Sequence, residues 1–183
     1  MDNNSFSETQ KFRQWWVWVI LLVSICAAIV GISKGDTHGS NMSKQTVMLI
    51  TILASLVPIG LVVILFVFMK LETKIDGTGV YYRFFPIQMR MQHMEWTDIE
   101  QAYVRKYSPI KEYGGWGYRY SFRNGMAYNI AGNMGLQIVK KGGKKILIGT
   151  QKPDEVAELL KRFAEMGIAR VQSEASQNSK DRF

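Results

Sequence analysis

The sequence predicts a membrane α-hairpin of two transmembrane helices followed by an α+β domain, in which an antiparallel sheet or partly open barrel of about seven strands is closed by one C-terminal helix. Three observations predict it. Residues 15–33 and 46–69 contain no charged side chain; from Leu71 the apolar period changes to two; after Gly149 it changes again, to that of an amphipathic helix. The chain has 183 residues with 23 Lys+Arg against 15 Asp+Glu, a formal net charge of +8. The stretch of about 110 residues after the second apolar run is enough for one small domain with a modest core.

Residues 1–14 read as a short N-terminal segment and 15–70 as the hairpin, with spans at about 15–33 and 46–69. As helices these spans rise roughly 28 and 36 Å, against about 30 Å for the hydrocarbon core of a bilayer. Lys11 and Arg13 precede the first run as in a signal peptide, but the run exceeds the usual apolar region and no small-x-small site closes it before Lys34, so a retained span is expected. Trp15, Trp16 and Trp18 mark its interfacial end. Cys26, the only cysteine, excludes an intramolecular disulfide and is expected as an inert thiol within the span. Neither span carries an ionisable residue, which argues against an ion or proton pathway. Lys11, Arg13, Lys70, Lys74, Arg83 and Arg90 flank the spans on one side and Lys34 and Lys44 lie in the connecting loop, so a multi-pass protein of the cell membrane is expected, with both termini and the C-terminal domain cytoplasmic.

The domain is expected over 71–168. Val80, Tyr82 and Phe84 alternate with Tyr81, Arg83 and Phe85 behind the turn signal Asp76-Gly77, and Tyr118, Tyr120 and Phe122 alternate with Arg119, Ser121 and Arg123 ahead of Asn124-Gly125. Residues 136–141, Gly142-Gly143 and residues 144–148 make a further hairpin. Pro153 then suits a first helical turn, Asp154 and Glu155 complement its dipole, and Val156, Leu159, Leu160 and Phe163 form one apolar stripe. Gly167 ends the helix, and the polar residues 169–183 read as a disordered tail.

Several strands followed by one amphipathic helix, with Gly79-Val80-Tyr81-Tyr82-Arg83-Phe84-Phe85-Pro86, Trp96-Thr97-Asp98-Ile99-Glu100-Gln101-Ala102-Tyr103 and Gly149-Thr150-Gln151-Lys152-Pro153-Asp154-Glu155, resemble the bacterial pleckstrin-homology-like (PH-like) domain proteins that carry a two-helix membrane hairpin ahead of the domain. The resemblance covers about residues 46–166. It implies a PH-like fold, and its motifs are structural, not catalytic. The basic connection between the first two strands that phosphoinositide binding requires in eukaryotic PH domains is absent, since Asp76-Gly77-Thr78-Gly79 has neither Lys nor Arg.

The densest charge cluster is Lys140, Lys141, Lys144 and Lys145 around one turn. Beside an anionic leaflet each lysine contributes about 1 kcal/mol of attraction; as a solvated hairpin end the same charges discourage edge aggregation. Trp116 sits in an inter-strand loop at about 108–117, whose Gly114-Gly115-Trp116-Gly117 leads into a strand, not the helix that a phosphate-cradling loop requires. That tryptophan either anchors a partner or the membrane interface or packs over the barrel mouth. His38 and His93 have no partners at metal-ligand spacing, so no metal and no cofactor is expected. Nor can a nucleophile with a base be assembled, so an enzyme is not expected. The expected function is a membrane-anchored, non-catalytic binding or scaffolding protein, with anionic lipid headgroups or a protein as partner and no nucleic acid. The alternatives are a subunit of a larger membrane complex and an enzyme with an unrecognised site.

Overall fold

The computed structural model describes residues 4–12, 18–19, 22–26, 30 and 43–169. They belong to two units, Arg13–Phe68 and Met1–Phe12 with Met69–Phe183. His38 and nearly all of the expected tail lie outside the described residues, as does most of the first expected span.

In the first unit, helix α1 (Lys44–Phe68) starts where Ser43 Oγ accepts the Thr46 amide at 3.2 Å, an N-cap, and it contains Pro58. Leu49, Leu53, Val57 and Leu61 are exposed on it, and Cys26 is a free, exposed thiol. The membrane hairpin is corrected here. Among the described residues, no helix is long and apolar enough to cross a membrane. The two transmembrane helices and the multi-pass membrane location expected from residues 15–33 and 46–69 are therefore not supported.

The described residues of the second unit form nine strands, which corrects the expected single antiparallel sheet or partly open barrel of about seven. The strands are β1 (Phe6–Lys11), β2 (Lys70–Asp76), β3 (Gly79–Phe85), β4 (Gln92–Glu95), β5 (Ile99–Lys106), β6 (Gly117–Ser121), β7 (Gly125–Asn129), β8 (Met134–Lys140) and β9 (Lys145–Gly149). They form two sheets, ordered β1-β2-β3-β4 and β5-β8-β9-β7-β6. The first is antiparallel throughout. In the second, β7 and β9 run parallel, with Met126 opposite Ile146 and Tyr128 opposite Ile148. A short 3₁₀ turn, Trp96–Asp98, joins β4 to β5.

Strand β1 lies within the segment read as a short N-terminus. Its inward residues are Phe6, Glu8 and Gln10, so only one of the three is apolar. The polar pair is hydrogen-bonded instead: Glu8 accepts from Thr150 Oγ1 at 2.7 Å and from the Gln151 amide at 2.9 Å, and Gln10 Nε2 donates to the Gly149 carbonyl at 2.7 Å. The start of the chain is thereby tied to the turn that leads into the last helix.

The β2–β3 hairpin turns at Asp76-Gly77, where the Asp76 carboxylate accepts the Thr78 amide at 3.0 Å and pairs with Lys74 at 3.0 Å. Burial pushes this carboxyl up, but the bonds from Thr78 and Lys74 outweigh it and hold the pKa at about 2.

Residues 108–117, expected as a loop, contain the short helix α2 (Pro109–Tyr113), which ends at Gly114 with φ of 73°. Glu112 holds it, accepting the Ser108 amide at 2.7 Å and pairing with Arg105 at 2.8 Å. Tyr113 and Tyr107 pack with Ala127 and Leu147 on one face of the second sheet. The other face meets the first sheet, with the Tyr82 and Tyr128 rings 4.8 Å apart. Helix α3 (Pro153–Glu165) buries Val156, Leu159, Leu160 and Phe163. Phe163 meets the edge of Trp96 at 5.7 Å, while the Trp96 indole donates to the Asp76 carbonyl at 2.8 Å. Beyond the helix, Gly167 at φ 72° donates to Ala164 and Ile168 donates to Phe163, the bond pair of a Schellman ending.

Candidate functional site

Two hairpin turns come together at one end of the second sheet. The first joins β6 to β7 through Phe122, Arg123 and Asn124, with Ser121 opposite Gly125. Asn124 anchors it: its amide donates to Ser121 Oγ at 3.3 Å, its Nδ2 donates to the Glu112 carbonyl at 3.3 Å, and its carbonyl accepts from Tyr113 Oη at 3.3 Å. The second joins β8 to β9, with the Lys140 amide donating to Lys144 and the Gly143 amide donating back to Lys140, both at 2.9 Å. Gly142 and Gly143 occupy positive φ, 101° and 82°, which that tight a turn requires. The Lys141 amide pins the turn to the Asp98 carbonyl at 2.9 Å. Because β7 and β9 are parallel and in register, the turns that precede them fall side by side.

Between them lies a groove of about 730 Å³. Met126 and Ile146, opposite each other on the parallel pair, supply its apolar floor. Tyr120 and Phe122 supply an aromatic wall, their rings edge to face at 5.5 Å, and Phe122 is 99% exposed. Arg123, Lys140, Lys144 and Lys145 supply the charge. Among the described residues no carboxylate lines the groove, and none of these four cations is in an ion pair. Asp98 and Glu100 flank Ile99, which pairs with Lys140, yet neither bonds a groove lysine.

Of the residues singled out from sequence, Lys140, Lys144 and Lys145 line this groove, and Lys141 lies in the same turn without lining it. Trp116 is not brought to them. It precedes β6 while Phe122 follows it, so the two stand at opposite ends of the strand. Half-buried, Trp116 donates its indole N–H to the Gly132 carbonyl at 3.0 Å and accepts from Arg119 Nε at 3.1 Å through its carbonyl. His93 stacks on Tyr81 with ring centroids 4.0 Å apart, and no group of His, Cys, Asp and Glu among the described residues is placed to hold a metal. Tyr120, Phe122 and Arg123 are the site residues that sequence alone does not reveal. Their one signal is an aromatic and basic run that does not stop where the strand gives way to Asn124-Gly125. No family model and no curated protein matches the chain.

Proposed function

We propose that the chain is a non-catalytic binding or scaffolding module whose groove takes the acidic groups of a protein partner. One observation carries the reading: four cations that form no ion pair among the described residues converge on an apolar-floored, aromatic-walled groove that no described carboxylate lines. Cations gathered this closely repel one another, and a bound anion relieves that repulsion while the rings and floor contribute apolar contact. The exposure of the cations keeps the attraction screened, so affinity comes from several contacts made together. The PH-like resemblance, whose motifs are structural, supports a binding module and adds no ligand.

The experiment uses the full chain and a fluorescent hexaglutamate peptide, with anisotropy read from 0.05 to 0.5 M salt. Binding that weakens with salt, and weakens at least about tenfold when Arg123, Lys140, Lys144 and Lys145 are all replaced by Gln, is the expected result. Equal binding by that variant removes the proposal. Tighter binding to phosphatidylglycerol vesicles than to the peptide would assign the anion to lipid instead.

A further inference from the structure

The groove adjoins a sheet edge. Among the described residues, strand β6 ends the order β5-β8-β9-β7-β6 and pairs with β7 alone. Its Gly117 amide is turned toward β7, where it donates to Asn129 Oδ1 at 2.8 Å. Successive residues of an antiparallel strand turn their backbone groups to opposite sides, so Tyr118 and Tyr120 turn theirs away from β7. Among the described residues these two have no backbone hydrogen bond outside the ladder, and their side chains are 41% and 61% exposed. Two N–H and two C=O groups thus stand ready to template another strand.

Charge selects the occupant. A second copy of β6 laid antiparallel on this edge sets Arg119 against Arg119, and like charges across a strand pair are unfavourable. An acidic strand meets Arg119 and the groove cations with the opposite sign. Tyr120 belongs to both features, being in the edge strand and in the groove wall. A strand paired with Tyr118 and Tyr120 therefore has one end beside Phe122 and Arg123, from which its next residues enter the groove. Lipid headgroups and nucleic acid offer no row of amides to use this edge.

We infer that the partner is an extended acidic peptide that adds as a strand to the free edge of β6 and delivers its carboxylates to the adjoining groove. The inference rests on the anion-binding reading of that groove. Main-chain bonds supply affinity in such strand addition, and the charged groove supplies selectivity.

The test uses the full chain, isotopically labelled for amide detection, and the capped peptide Glu-Glu-Val-Thr-Val-Thr-Glu-Glu. Binding is expected to slow amide exchange at Tyr118 and Tyr120 at least about tenfold and to leave Arg119, whose amide already faces β7, unchanged. N-methylating both valines or both threonines blocks alternate peptide amides, and one of the two versions is expected to bind at least about tenfold more weakly. Tyr120→Pro, which removes an outward N–H, is expected to bind more weakly than Tyr120→Ala, which keeps it. A peptide that does not bind, or that binds equally in both N-methylated forms, overturns strand addition. If those forms bind equally while the Gln variant of the four cations loses binding, strand addition fails and the anion-binding groove stands. If the Gln variant binds as well as the native chain, both fall.

Discussion

A methyl group on Gly125 would stand 2.1 Å from the carbonyl oxygen of Lys145. That is far inside contact distance, and the obstacle is backbone, which cannot rotate aside. Gly125 also lies at φ 77°, a conformation in which side chains are strained. The close approach occurs where β7 and β9 begin, so it seats the Arg123 turn beside the Lys144 and Lys145 turn and thereby forms the groove.

Gly125→Ala is accordingly expected to destabilise the fold by more than about 1 kcal/mol, since the positive φ alone costs about 1 to 3 kcal/mol for a residue with a side chain. Urea unfolding measures it. A loss under about 0.5 kcal/mol would show that the two strands can part without consequence.

Leu160 is 1% exposed in the stripe that α3 lays on the sheets. Leu160→Ala is expected to cost about 2 to 5 kcal/mol, the transfer cost of the lost methyl groups plus that of the cavity they leave. An unchanged denaturation midpoint would mean that the stripe is not part of the core.

Glu8→Ala leaves Thr150 Oγ1 and the Gln151 amide without their acceptor at a site where Glu8 is only 8% exposed. A loss of about 1 to 3 kcal/mol is expected. Glu8→Gln, which keeps an acceptor oxygen, should lose less, and an equal loss in the two variants would point to packing in place of hydrogen bonding.

Acid should weaken the fold partly through Asp76. Its folded pKa of about 2 lies below the ordinary 3.8, so its contribution is present above pH 3.8 and is lost as the pH falls toward 2. Thermal unfolding of Asp76→Asn between pH 2 and 5 should vary less steeply with pH than that of the native chain. Identical slopes would exclude this carboxylate as a source of acid sensitivity.

Replacing Arg123, Lys140, Lys144 and Lys145 together by Gln should change stability by less than about 0.5 kcal/mol, because exposed charges without ion pairs contribute little to folding. A cooperative unfolding curve shifted by more than that would mark the cluster as structural.

Sequence revealed the elements whose residues carry a strong local pattern. The hairpins at Asp76-Gly77, Asn124-Gly125 and Gly142-Gly143 form because turn chemistry is local, and the stripe of α3 is buried where its spacing places it. Strand β1 is illegible because Glu8 and Gln10 point inward, held by hydrogen bonds to partners about 140 residues away. Helix α2 was illegible because five residues give no period; Glu112 and Arg105 hold it. The apolar residues of 46–69 read as a span from composition, yet among the described residues no helix is long and apolar enough to cross a membrane. As for the groove, its lysines were visible as a cluster. Tyr120, Phe122 and Arg123 were not joined to them, because only the parallel pairing of β7 with β9 brings the two turns together.

The bond between Glu8 and Thr150 spans 142 positions of the chain. At about 5 to 20 residues per second, a ribosome takes roughly 7 to 28 seconds to travel from one to the other. Throughout that interval β1 has no donors for its inward glutamate, and its partner β2 follows only after about 60 residues. Strand β1 can pair with β2 as soon as β2 emerges, but its inward glutamate is bonded only once Thr150 and Gln151 have been made. Loss of the first eleven residues would therefore remove the strand and, with it, the acceptor that the Thr150 hydroxyl and the Gln151 amide use across the length of the domain.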